Sequence, residues 1–172
     1  MTLQSSDFDL FGLPERFEQD RAAIDARWKE LQREAHPDKF AAQGNAAQRV
    51  AMQWSVRINE AYRRLKDPLT RAAYLCELRG SPIDAENNTA MPADFLVEQM
   101  EWRESLDEAR SQADLDALES ELDRSRSETL ERIAQLLDAQ GDAAAAAKQV
   151  RALMFIERFG RDVEARIDQL GQ

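Results

Sequence analysis

Apolar residues recur along this chain at the three- and four-residue spacing of an α-helix, and few helix-stopping residues intervene. Ile24, Trp28, Leu31 and Ala35 fall at i, i+4, i+7 and i+11, a single stripe on one helical face. Val50, Trp54, Ile58, Ala61, Tyr62 and Leu65 keep helical register across 46–65. Over 142–170, Val150, Leu153, Ile156, Val163, Ile167 and Leu170 recur at close to heptad spacing. The 172 residues include only 6 Gly and 5 Pro, and Ala, Leu, Glu, Gln and Arg are abundant. Strong helix formers with few breakers predict an all-α fold.

The breakers divide the chain. Residues 7–13 form a short helical or turn segment ending at Gly12 and Pro14. A helix over 18–35 stops at His36-Pro37-Asp38-Lys39-Phe40, because Pro37 pushes the residue before it out of helical geometry. A loop through Gly44 and Asn45 leads to the helix over 46–65, and two helices of similar length on a short loop predict an antiparallel hairpin. A further short helix, 69–79, starts after Asp67-Pro68 and closes at Gly80. Residues 80–92 (GSPIDAENNTAMP) have no apolar period and read as a linker. Three amphipathic helices follow, over about 93–110, 114–139 and 142–170, the second stopping at Gly141. The run of alanines at 143–147 is a strong helix former. The expectation is a hairpin domain over 1–79 and an antiparallel three-helix bundle over 93–172.

Charge separates the same two parts. Residues 1–78 hold 12 Lys+Arg and 12 Asp+Glu, whereas residues 79–172 hold 11 and 21, the whole net charge of −10. The acidic half would repel phosphates, so no nucleic-acid partner is expected. Cys76 is the only cysteine and His36 the only histidine, which leaves no disulfide, cysteine cage or His-rich metal site to build. Neither a metal nor a cofactor is expected. Residues 1–13 carry Asp7 and Asp9 with no basic stretch, and no apolar run is long enough for a bilayer. A cytoplasmic protein without a membrane partner is the expectation.

The sharpest local signal is His36-Pro37-Asp38 between two amphipathic helices, preceded by Arg27, Lys29 and Arg33. Pro37 stiffens the loop, and Asp38 suits an arginine fork on a partner. Lys29 and Arg33 lie one turn apart on one face and suit an acidic partner surface. No nucleophile or second titrating group lies near His36 in sequence, so no catalytic residue and no enzymatic activity are expected. In the first helix of the acidic half, Phe95, Gln99, Trp102 and Leu106 form one stripe that suits the bundle core. A second stripe combines Val97 and Met100 with Glu101, Glu104 and Glu108, and Leu96 borders it. Spacing alone reads the second stripe as core edge and solvated face, whereas apolar groups beside acids also suit a docking patch. Phe155 lies off the main stripe of the last helix.

The loop, together with Ile58-Asn59-Glu60-Ala61-Tyr62-Arg63-Arg64-Leu65 and Asp67-Pro68-Leu69-Thr70-Arg71-Ala72-Ala73-Tyr74, resembles the J-domain family, partners of seventy-kilodalton heat-shock ATPases. That resemblance implies that His36, Pro37, Asp38, Arg27, Lys29 and Arg33 engage the ATPase. Two departures stand out: Ala35 precedes the histidine where the family often has an aromatic, and Glu30 sits where many members have a base.

Leu10-Phe11-Gly12-Leu13-Pro14, Arg71-Ala72 with Tyr74-Leu75, and Phe95-Leu96 with Glu98-Gln99, Arg103-Glu104 and Leu106-Asp107-Glu108 extend the likeness over both halves. The whole chain is similar to the HscB family of J-type co-chaperones of iron–sulfur cluster assembly. The resemblance implies an ATPase partner of the HscA type and a scaffold partner, IscU, held by Leu96, Val97, Met100, Glu101, Glu104, Glu108 and Phe155. It implies a bacterial cytoplasmic co-chaperone that stimulates ATP hydrolysis and delivers the scaffold. A general co-chaperone for unfolded clients is the competing reading, and it lacks the usual Gly-rich or zinc modules here.

Overall fold

The computed structural model describes residues 1–171, and among them every regular element is helical. The elements are α1 (Asp7–Phe11), α2 (Arg21–Ala35), a 3₁₀ segment (Pro37–Gln43), α3 (Asn45–Lys66), α4 (Pro68–Leu78), α5 (Ala93–Glu108), α6 (Gln112–Ala134) with a π-helical turn (Gln135–Ala139), and α7 (Ala143–Leu170). They form two compact units that divide between Leu75 and Cys76, inside α4. That division falls earlier in the chain than the 80–92 segment.

In the first unit α2 and α3 form the expected hairpin. Asp20 caps α2 by accepting from the Ala22 N–H at 3.0 Å, and its last turn gives way to extended backbone at His36. Ile24, Leu31, Ala51, Ile58, Ala61 and Leu65 are buried between the helices, with Phe8, Leu10 and Phe11 of α1. The stripe is less uniform than its periodicity suggests, because Val50 keeps the register yet is 52% exposed near the start of α3. Two polar clusters hold the unit. Asn59 Oδ1 accepts from Trp28 Nε1 at 3.0 Å and from Gln32 Nε2 at 2.7 Å, so one side chain of α3 grips two of α2. Asp7, fully buried, takes Arg57 Nη2 at 2.8 Å and Arg64 Nε at 2.6 Å, while its backbone N–H donates to the Tyr74 hydroxyl at 3.0 Å. A buried carboxylate needs such partners, since desolvation without them would cost several kcal/mol.

In the second unit α7 is the central element. Eleven of its residues are buried, from Ala143 to Val163. Arg151, itself only 6% exposed, donates to the carbonyls of Ile83 and Ala90, each at 3.0 Å. The segment expected to be a linker is therefore stitched to α7. Helix α5 has a narrow buried face, Phe95 and Trp102, set among Phe155, Phe159, Leu118, Leu122 and Val163. The rings meet edge-on between Phe95 and both Trp102 (5.7 Å) and Phe155 (5.8 Å), and Phe155 stacks on Phe159 at 5.7 Å. Edge-to-face and offset pairs at these distances favour the aromatic quadrupole.

Candidate functional site

Two surfaces concentrate the residues singled out by the sequence, one in each unit. In the first, His36 leaves α2 in an extended conformation and caps the 3₁₀ segment, its Nδ1 accepting from the Asp38 N–H at 3.2 Å. A neutral ring that accepts at Nδ1 carries its proton on Nε2. The His36 side chain is 56% exposed and that of Asp38 92%, and the two are 3.6 Å apart through Nδ1 and Oδ2. No residue from Pro37 to Gln43 is buried. The loop thus presents His36 and Asp38 at one end of the hairpin, with Phe40 half-buried behind them.

Lys29 and Arg33 are exposed on α2, one turn apart and leading to that tip. Arg27 does not join them. Residues two apart on a helix point about 200° apart, and Arg27 turns to the other side, where it is half-buried and pairs with Glu30 Oε2 at 3.0 Å. There it borders an apolar groove of about 610 Å³ together with Leu31, Glu34, Ala35, Phe40 and Trp54. The basic face expected from three residues is therefore made by two, and Glu30 satisfies the third. Near the base of the same helix, hydrogen bonds from Arg21 and then Tyr62 hold the Asp25 carboxyl below its ordinary range.

The second surface is the outer side of α5. Phe95 and Trp102 anchor the helix inward, with Gln99 and Leu106 half-buried beside them. Leu96, Val97 and Met100 are 53%, 57% and 71% exposed. Glu101, Glu104 and Glu108 are exposed as well. Three neighbouring aliphatic side chains in water, flanked by carboxylates, form a patch that the bundle does not use. Burial, and then the charge of Asp94, push the Glu98 carboxyl above its ordinary range on the adjoining edge of the helix.

Phe155 corrects the expectation for this surface. The resemblance implies a docking role for its ring, yet Phe155 is 4% exposed and belongs to the core cluster. The reason is that α7 is covered on more than one side, so an off-stripe position meets α5. Its ring forms the floor of a groove between α5 and α7, beneath the guanidinium carbons of Arg103 at 5.5 Å and Arg158 at 5.9 Å. That groove had no signal in the sequence, because its two sides lie on separate helices. Among the described residues no cluster of three His, Cys, Asp or Glu side chains is arranged to hold a metal ion, and no helix is long and apolar enough to cross a membrane.

Residues 91–164 match the family model described as the HSCB C-terminal oligomerisation domain. The co-chaperone protein HscB homolog of Burkholderia multivorans is 53% identical over 99% of this chain and 98% of its own length. The homolog from Ralstonia nicotianae is also 53% identical, over 95% and 94%. Chaperone HscB from Vibrio cholerae superposes with a TM-score of 0.81 at 37% identity, over 96% of this chain and 99% of that one. The crystal structure of human co-chaperone protein HscB gives 0.85 at 27% identity, over 96% and 84%. With both halves matched along nearly their whole length, the chain belongs to the HscB family of J-type co-chaperones of iron–sulfur cluster assembly.

Proposed function

We propose that this co-chaperone stimulates ATP hydrolysis by a heat-shock ATPase of the HscA type and delivers to it the iron–sulfur scaffold of the IscU type. The observation that carries the reading is the pairing of two exposed, differently built surfaces on one chain. The tip of the hairpin offers His36, Asp38, Lys29 and Arg33 to water. Such a surface suits an acidic, hydrogen-bonding partner, where charge complementarity speeds encounter. Helix α5 offers Leu96, Val97 and Met100 beside Glu101, Glu104 and Glu108. An apolar centre with a charged rim suits a folded protein partner better than a small molecule. The chain then acts by bringing two proteins together, in the cytoplasm of a bacterium, and performs no bond chemistry of its own.

The direct test is steady-state ATP hydrolysis by an HscA-type chaperone with the co-chaperone, the scaffold, both and neither. Stimulation by the co-chaperone, increased further by the scaffold, supports the proposal. In the same assay His36→Gln is expected to remove at least about nine-tenths of the stimulation while the melting temperature stays within about 2 °C, since an exposed substitution away from packing changes stability little. A variant that stimulates as well as the parent would refute the role of the tip.

A further inference from the structure

The exposed side of α5 carries two stripes of opposite character. Val97, Glu101, Glu104 and Glu108 run along one. Leu96, Met100, Arg103 and Asp107 fall at i, i+4, i+7 and i+11 along the other. The second stripe leads from the aliphatic patch to the groove of about 280 Å³ between α5 and α7, floored by Phe155 and Phe159 with Leu106 beside them. Its rim carries four charges, Arg103 and Asp107 from α5 and Arg158 and Asp162 from α7.

Each arginine has an aspartate one turn further along its own helix, yet neither pair forms. Among the described residues none of the four side chains makes an ion pair or a hydrogen bond. A base placed before an acid is the weaker order for such a pair, because each group then opposes the helix dipole. Both guanidinium groups turn instead to Phe155, at 5.5 Å and 5.9 Å from its centre. Ring contact restrains a guanidinium while leaving its donor edges open, so each of the two groups beside this ring can still donate to a carboxylate.

We infer that the α5–α7 groove receives an acidic side chain, Asp or Glu, from the protein docked on the Leu96–Val97–Met100 patch, with its carboxylate between Arg103 and Arg158. The inference rests on the client-binding reading of that patch and deepens it. The glutamate stripe selects basic groups and the groove selects an acid, so the docked surface must carry both signs in a fixed order. Apolar contact alone would let a partner sit on this helix in either direction; the two signs together allow one.

The test uses the full chain and an IscU-type scaffold in titration calorimetry at low and high salt. Arg103→Gln and Arg158→Gln should each weaken binding roughly ten-fold, the loss expected for a charge-assisted hydrogen-bonded pair. Both variants should flatten the salt dependence. Arg→Lys at either position should fall between parent and Gln, because it keeps the charge and loses the fork. Asp107→Asn should tighten binding by a few-fold, since it removes a competing acid. Unchanged affinity in both Gln variants, with the parent binding normally, overturns the inference and leaves the patch reading standing. So does Asp107→Asn weakening binding as much as Arg103→Gln. If the parent itself does not bind the scaffold, the client reading fails and the groove assignment with it.

Discussion

Removing the Asp7 carboxylate should cost the first unit about as much as truncating a large core side chain. The side chain is fully buried and receives three close guanidinium contacts: Arg57 Nη2 at 2.8 Å, Arg64 Nε at 2.6 Å and Arg64 Nη2 at 2.9 Å. In Asp7→Ala the two arginines respond differently. The Arg64 side chain is 39% exposed and lies over the Tyr74 ring at 4.3 Å, so it can turn to water at modest cost. Arg57 is only 13% exposed. It keeps its bonds to the carbonyls of Leu3 and Ser5 but has no acid left, and its Nη1 already lacks a partner in the parent. Breaking a buried pair by removing one member costs about 3–5 kcal/mol. The escape of Arg64 places the expectation near the lower end, about 3 kcal/mol. For a unit of this size that lowers the midpoint by about 12–24 °C. The assay is urea unfolding of the full chain followed by tryptophan fluorescence in a Trp102→Phe background. The remaining tryptophans, Trp28 and Trp54, then both report on the first unit. Asp7→Asn should lose nearly as much, because it keeps the shape and loses the charge. A loss below about 1 kcal/mol in both variants would show that the cluster is solvated and that the buried-pair reasoning is wrong.

Three further outcomes are expected. Replacing Leu96, Val97 and Met100 together by Ser should weaken scaffold binding by about 2–4 kcal/mol, with little change in melting, as these side chains already face water; a collapsed melt would make them core. Phe155→Ala should behave in the opposite way, destabilising the second unit by about 3–5 kcal/mol through loss of its contacts with Phe95 and Phe159, and near-parental unfolding would return that ring to the surface. Burial pushes the Cys76 thiol from its usual 9.0 up to about 11, against a smaller opposing pull from Arg79 and Arg151. The folded thiol holds its proton where the unfolded one has lost it, so this contribution is intact below about pH 9 and declines as pH rises toward about 11. Chemical unfolding of the parent and Cys76→Ala between pH 8 and 11 checks this, and parallel pH profiles would refute it.

The helices were legible because their cause is local. The Ile24–Leu31 register, the stop at Pro37 and the restart after Gly44 need only neighbours in sequence, and the observed bounds of α2 and α3 follow them closely. The exposed tip was legible for the same reason. What failed depended on residues that meet only after folding. Val50 fits its stripe, but α2 does not cover the start of α3 enough to bury it. Phe155 lies off its stripe, and periodicity places a residue on its own helix but says nothing about a second helix lying across that side. The resemblance groups Arg27 with Lys29 and Arg33, although the helix turns it to the other side, where it meets Glu30. A charged residue such as Asp7 gives no hint that it is core, because its burial waits on Arg57 and Arg64 arriving from α3.

The 3₁₀ segment Pro37–Gln43 contributes no buried side chain, whereas the helices on either side are fastened by Asn59, Trp28 and Gln32. Its amides should therefore exchange with solvent through small local openings, while those in the middle of α3 require the unit to open as a whole. Fluctuation at the tip then draws little on the global unfolding free energy, so sequence change at its exposed positions is filtered more by binding than by folding. Evolution can retune the affinity of this tip without renegotiating the stability of the hairpin that carries it.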